Sequence, residues 1–132
     1  MNRWIRTNSS EGKRLINSPT SYTNGKLKSH VVGRLCEIFG GQVILKNGHQ
    51  VRPERTLVRH GQTRIYDQIS GKTINGVLRL YYWEGKANTA VRSADQKAFD
   101  SRAIADGYPL RDYWCSINLQ TAKLTNMYFD NR

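Results

Sequence analysis

The stretch Asn75-Gly76-Val77-Leu78-Arg79-Leu80-Tyr81-Tyr82-Trp83-Glu84-Gly85-Lys86 decides how this chain is read. Asn-Gly is a tight-turn pair, and the branched and aromatic run behind it predicts a strand over Val77 to Trp83. Side chains alternate along a strand. Leu78, Leu80, Tyr82, Glu84 and Lys86 therefore share one face, and Val77, Arg79, Tyr81 and Trp83 the other. Such a strand delivers one acid and one base together at its carboxyl end.

Working upstream, Leu27, Val31, Leu35, Ile38 and Phe39 recur at steps of three and four, which predicts an amphipathic core helix closed by Gly40-Gly41 as a left-handed cap. Gln42 to Leu45 reads as a short strand and Lys46-Asn47-Gly48-His49 as a tight turn. Thr56 to Val58 and Thr63 to Tyr66 read as extended segments broken at His60-Gly61. Downstream, Ser93 and Gln96 form a capping box for a helix with Ala98, Phe99, Arg102 and Ala103 on one face, closed by Gly107 and Pro109. Tyr113 to Leu119 alternates as a final strand. Residues 1–25 are polar, basic and without a sustained apolar period, which predicts a flexible arm ordered only where it docks, ahead of a single domain over 26–132. This order of elements predicts an α/β fold, a small mixed sheet flanked by helices.

Composition narrows the function. The chain has 132 residues, 21 Lys+Arg against 10 Asp+Glu, and a net charge of +11. Residues 1–92 hold 16 of the bases and five of the acids, so the whole excess lies there and the last forty residues are neutral. A basic face of this kind suits a polyanion, nucleic acid before membrane, because no basic stretch carries a Leu/Phe/Trp stripe at helical spacing. No apolar run approaches the length of a membrane span, and the amino terminus lacks the apolar core of a secretory signal, so a cytoplasmic location is expected. Cys36 and Cys115, far apart, suggest neither a disulfide framework nor a Cys-x-x-Cys zinc site, and both read as buried small apolar residues. His30, His49 and His60 lack metal-ligand spacing. Phosphate-binding glycine loops and a Gly-x-Ser-x-Gly elbow are missing from the sequence.

The chemistry rests on Asp67, Glu84 and Lys86. Two carboxylates that converge are hard oxygen ligands suited to Mg²⁺ or Mn²⁺, and a lysine beside them can orient water or neutralise charge developing on a phosphate. Arg52, Arg55, Arg59 and Arg64 cluster just before Asp67, placed to grip a nucleic-acid backbone, and His60 in its basic turn suits a phosphate contact. Tyr82 and Trp83 are assigned to packing.

The order Arg59-His60-Gly61, Tyr66-Asp67, Ser70-Gly71, Asn75-Gly76, Glu84-Gly85-Lys86, Ser93-Ala94-Asp95-Gln96 and Gly107 resembles the virus-type replication-repair nuclease (VRR-NUC) family, a branch of the PD-(D/E)XK nucleases. The resemblance runs from about Gly40 to Cys115. It implies a PD-(D/E)XK nuclease-like fold with Asp67 and Glu84 as metal ligands, Lys86 as catalytic lysine and Gln96 as a helix residue facing the site. It further implies a homodimer that cuts branched DNA such as Holliday junctions, as would fit a phage or mobile element. Three positions depart from the family pattern. Tyr66 stands where a proline usually precedes the aspartate, and Gly85 replaces an apolar residue. Ser29 and His30 stand where the first helix often begins with an acid, while Glu37 lies near that helix's end. A domain keeping the fold without the ligands would instead be a non-catalytic nucleic-acid-binding or phage anti-defence protein.

Overall fold

The computed structural model describes residues 3–130. The first two residues of the predicted arm and the last two of the predicted domain lie outside the described residues. The chain begins with α1 (Arg3–Asn17), a 3₁₀ turn at Pro19–Ser21, and a small hairpin of β1 (Tyr22–Thr23) and β2 (Lys26–Leu27). α2 (Ser29–Lys46) and β3 (Gln50–Val51) follow, then the hairpin β4 (Thr56–Arg59) and β5 (Gln62–Ile65) and the longer hairpin β6 (Gln68–Ile74) and β7 (Val77–Ala87). α3 (Ala94–Ala105), β8 (Leu110–Ile117) and β9 (Leu124–Asp130) complete the chain. The main sheet has the order β3-β6-β7-β8-β9. It is antiparallel except between β7 and β8, where α3 carries the chain back and the two strands run parallel. The fold is thus mixed α/β, with helices on both faces of the sheet.

The alternation read along β7 sorts the core into two halves. Trp83 and Ala87, with Tyr81 against them, pack with α2 through Val31, Leu35 and Ile44. Tyr82, with Leu80 beside it, packs with Phe99 and Ala103 of α3 and with Leu57, Tyr66, Ile69 and Leu110. Asn75 and Gly76 both have positive φ, as the two-residue hairpin turn requires, and His60 and Gly61 repeat this between β4 and β5.

Four expectations are corrected. The predicted arm, residues 1–25, is built into the domain over its described residues: α1 meets α2 and the core through a mixed face, Trp4, Leu15 and Ile16 interleaved with Asn8, Ser9 and Glu11, so no sustained apolar period marks it. Asn8 is buried and accepts from Arg34 Nη2 at 2.8 Å. Ser9 Oγ accepts from Gln42 Nε2 at 2.9 Å, and Gly12 lies against Ile38.

The second correction concerns Gly40-Gly41, which does not end α2, so Gln42 to Leu45 is helical and not a strand. Both glycines are clearances: a Cβ on Gly40 would overlap the Tyr113 ring, and one on Gly41 the Trp4 ring. The helix ends at Asn47, with Gly48 in the left-handed region at φ +89°. Third, the last predicted strand is shifted, running from Leu110 to Ile117, and is followed by β9, a further strand outside the predicted elements, with which it pairs. Ser70-Gly71 lies inside β6.

Fourth, Cys36 and Cys115 are buried as expected but are joined as a disulfide, Cα to Cα 5.7 Å, tying α2 to β8 across 79 residues of sequence. Closing a loop of that length removes unfolded-chain entropy worth about 4 kcal/mol in the chain-entropy account. No helix among the described residues is long and apolar enough to cross a membrane.

The glycines of α2 give a direct stability test. Gly33 has open space around its would-be Cβ, whereas Gly40 faces a fully buried ring. Gly33→Ala is expected to raise stability by about 0.5–1 kcal/mol through helix propensity. Gly40→Ala should lower it by about 1–3 kcal/mol through overpacking. Urea denaturation of the two variants checks both signs, and a harmless Gly40→Ala would show that Tyr113 is not confined.

Candidate functional site

Asp67 lies between β5 and β6, and its N–H donates to Trp83 O at 3.0 Å, extending the β6–β7 ladder by one residue. The register Gln68↔Trp83 therefore places Asp67 opposite Glu84. Cross-strand neighbours in an antiparallel pair sit on one face about 5 Å apart, so the sheet itself holds these two acids together. Asp67 Oδ2 accepts the Gly85 N–H at 2.7 Å.

Glu37 reaches the same place from α2. A cavity of about 720 Å³ is lined by Glu37, Asp67, Glu84, Gly85 and Lys86 together with residues of α2 and the loop after β7. Because α2 runs on past Gly40-Gly41, Glu37 is mid-helix, and the helix acid that seemed displaced in the sequence stands beside the other two.

The electrostatics show that crowding. The Asp67 carboxyl is pushed up from 3.8 to about 8, first by burial, then by the charges of Glu84 and Glu37, against the pull of the Gly85 N–H. Glu84 is 4% exposed and bracketed by cations, with Lys86 Nζ 3.0 Å from Oε1 and Arg64 Nη2 3.0 Å from Oε2. Glu37 pairs with Arg34 Nη1 at 2.9 Å. Arg34 Nε also donates to both carboxylate oxygens of Glu11 on α1, at 3.1 and 3.0 Å.

Beneath Glu84 lies a ladder of alternating charge that the sequence did not signal. Arg64 Nε stands 3.3 Å from Asp100 Oδ1, Arg92 Nε stands 2.9 Å from Asp100 Oδ2, and Arg92 pairs in turn with Asp112. Asp112 is the β8 neighbour of Glu84 in the parallel register. The Tyr66 hydroxyl donates to Asp100 Oδ1 at 2.6 Å, and burial followed by that bond raises its pKa. Tyr66, the residue in place of the usual proline, is thus a buried member of this ladder.

The predicted site residues are therefore split. Asp67, Glu84 and Lys86 come together, and Arg52 and Arg55 are exposed on the loop before β4, Arg55 Nη1 reaching Asp67 O at 3.5 Å. Arg64, expected as a backbone contact for nucleic acid, is buried at 6% exposure. It stands opposite Leu57 in the β4–β5 register and shares that residue's inward face. Arg59 and His60 engage Asp106 just beyond α3, at 3.2 and 3.0 Å, and Arg59 lies over the Tyr108 ring. Gln96 is engaged in the capping box, its Oε1 accepting from Ser93 N–H at 3.1 Å while its own N–H donates to Ser93 Oγ at 3.2 Å, and it does not line the acid cavity.

The departure at Gly85 has a steric reason. A Cβ there would overlap the same Tyr113 ring that Gly40 clears.

Among the described residues, no three His, Cys, Asp or Glu side chains are already arranged to hold an ion. The donor set nevertheless fits a hard dication. It consists of carboxylate oxygens, and the repulsion from Glu84 and Glu37 that adds to burial in raising Asp67 is what a bound cation would relieve. Comparison with protein-family models, with curated proteins and with solved structures finds no match, so the reading of the site rests on this geometry.

The raised Asp67 carboxyl makes stability fall with pH. The unfolded chain loses this proton near 3.8 and the folded chain only near 8, so over that window the folded state binds more protons and is progressively destabilised as pH rises. Asp67→Asn keeps an acceptor oxygen for the Gly85 N–H and carries no charge. In EDTA at about pH 8 it is expected to melt above the wild-type protein, with the gap closing below about pH 4. Thermal melts that coincide at both pH values would show that the carboxylates do not repel one another.

Proposed function

We propose that the chain is a divalent-metal-dependent endodeoxyribonuclease of the PD-(D/E)XK type, acting on branched DNA. The observation that carries this reading is the meeting of Glu37, Asp67, Glu84 and Lys86 in one cavity, three carboxylates and a lysine on its lining. Asp67 and Glu84 would hold Mg²⁺ or Mn²⁺, with Glu37 as the third acid. When bound, such an ion polarises a phosphodiester oxygen and lowers the pKa of a coordinated water.

The chain's own groups supply the rest. Lys86 shares the face of Glu84 on β7 and, released from Oε1, can orient water or offset charge developing on the scissile phosphate. Arg64 stays on Oε2 from the buried side, so Glu84 keeps its place when Lys86 turns to substrate. A homodimer with two such sites about a twofold axis would match the symmetry of a four-way junction, and cytoplasmic DNA is the substrate pool this reading implies.

A second reading has one observation in its favour. Both oxygens of Glu84 already carry cationic partners, an arrangement also suited to a non-catalytic nucleic-acid-binding protein that kept the fold without the reaction. The two readings separate in a cleavage assay on a four-way junction, a flap and a plain duplex with Mg²⁺, Mn²⁺ or EDTA. The nuclease cuts the branched substrates only with metal, and Glu84→Gln lowers the rate on the order of 10²-fold or more while leaving DNA binding in EDTA intact. Binding without cuts under every metal condition would assign the protein to the second reading.

A further inference from the structure

The acid cavity is not isolated. A cavity of about 460 Å³ opens between α1 and the loop after β3, lined among others by Arg3, Thr7, Arg52 and Arg55, and Asp67 forms part of its wall. Asp67 also lines the acid cavity. On the other side, Glu84 and Lys86 line both the acid cavity and a smaller one of about 190 Å³, which Lys97 of α3 and Trp114 of β8 complete. The acid cavity thus shares wall residues with a neighbour on each side, and those shared residues are the ones that would do the chemistry.

The cavity between α1 and the loop after β3 is strongly cationic. Arg3, Arg52 and Arg55 are exposed, and none of them joins a salt bridge among the described residues. Arg34, also in its wall, is already neutralised by Glu11 and Glu37. Glu54, the one acid of the neighbouring loop, has an oxygen turned onto the Thr56 N–H at 2.7 Å. In the last cavity Lys97 is exposed, and Trp114 is half-buried against Tyr128.

We propose that these cavities form one track for an unpaired nucleic-acid strand, gripped at its backbone by Arg3, Arg52 and Arg55 before it crosses the carboxylates and leaves beside Lys97 and Trp114. A cationic groove that follows a backbone, with an aromatic face for a base, is the general solution for single strands. Clefts of a few hundred Å³ take a molecule of nucleotide size, and a single strand, slimmer and more pliant than a duplex, can follow such a course. The inference rests on the nuclease reading in taking the acid cavity as the strand's destination, and it deepens that reading. On this basis the preference among branched substrates would be for those that offer an unpaired strand, a flap before a fully paired four-way junction.

Fluorescence anisotropy in EDTA tests the track without any cleavage, using a labelled single strand of about ten nucleotides and a duplex of equal length. The wild-type chain is expected to bind the single strand more tightly than the duplex. The double variant Arg52→Glu/Arg55→Glu should raise the single-strand Kd about tenfold or more, and Lys97→Glu should raise it by less. Arg79→Glu, an exposed charge near the far turn of the β6–β7 hairpin, should leave it unchanged. Thermal melts confirm that each variant is folded.

The track is overturned if Arg52→Glu/Arg55→Glu binds like the wild-type protein, if Arg79→Glu weakens binding equally, or if the duplex binds as tightly as the strand. These outcomes are distinguishable from failure of the nuclease reading. A track that binds as described in a protein that never cuts would reject the nuclease alone. Glu84-dependent cleavage with unchanged binding by the arginine variant would reject the track alone.

Discussion

The ring of Tyr113 is the constraint on which the rest of the structure depends. It is completely buried, and two glycines on different elements, Gly40 of α2 and Gly85 of β7, leave room for it. Its hydroxyl donates to Gln68 Oε1 at 2.8 Å, and Gln68 Nε2 donates in turn to the Glu37 carbonyl at 2.8 Å. One side chain on β8 thereby sets the distance of α2 from the sheet. It also ties, through Gln68, the backbone of Glu37 to the residue next to Asp67. Close packing of this kind transmits displacement, because an interior at crystal-like density has no slack to absorb it. The Cys36–Cys115 link joins the same two elements one position before Glu37 and two after Tyr113, so the cross-link and the ring act on the same spacing.

On the opposite face of the sheet the organising force is charge. Glu84, Arg64, Asp100, Arg92 and Asp112 alternate in sign, and the three acids are each under 5% exposed. Burying one ion costs several kcal/mol, and the cost is offset only when each charge has close partners of opposite sign on well-formed hydrogen bonds. A ladder meets that requirement where an isolated pair would not, since Arg64 and Arg92 each serve two acids. Three buried acids against Arg64, which is buried, and Arg92, which is half-buried, nearly cancel, so the exterior remains as basic as the whole sequence. The neutral balance of the last forty residues is therefore misleading about the surface, because Asp100 and Asp112 are spent inside.

What the sequence reveals follows from which signals are local. The Asn75-Gly76 turn, the alternation of β7 and the Ser93–Gln96 capping box depend on residues a few positions apart, and all three stand in the structure. The meeting of Asp67, Glu84 and Lys86 was legible for the same reason, since one hairpin brings them together. Signals that belong to another element were not legible. Gly40-Gly41 has the composition of a helix cap, and its role as a clearance depends on Tyr113 and Trp4, distant in sequence. Arg64 looks like any arginine in a basic cluster until hairpin register turns it inward with Leu57. Gln96 reads both as part of a capping box and as a residue facing the site, and local geometry engages it in the first. Residues 1–25 lack a sustained apolar period because α1 interleaves Asn8, Ser9 and Glu11 with Trp4, Leu15 and Ile16 where it meets α2 and the core, so the mixed chemistry of the contact hid its existence.

The three acids are held in two different ways. Asp67 and Glu84 are opposed in a ladder whose spacing is set by backbone hydrogen bonds, and neither can move without breaking sheet pairing. Glu37 rides on a helix, and its carboxylate is directed by Arg34, which is itself fixed by Glu11 and Asn8 of α1. A rigid pair and an adjustable third acid is a reasonable design for a site whose charge must change. Were the proposed cation to bind, Glu37 would be the acid free to exchange Arg34 for it, and Arg34 would still keep Glu11. On this reasoning α1 belongs to the site twice. It supplies Arg3 and Thr7 to the cationic groove on its outer side, and through Arg34 it sets the resting position of the third carboxylate on its inner side.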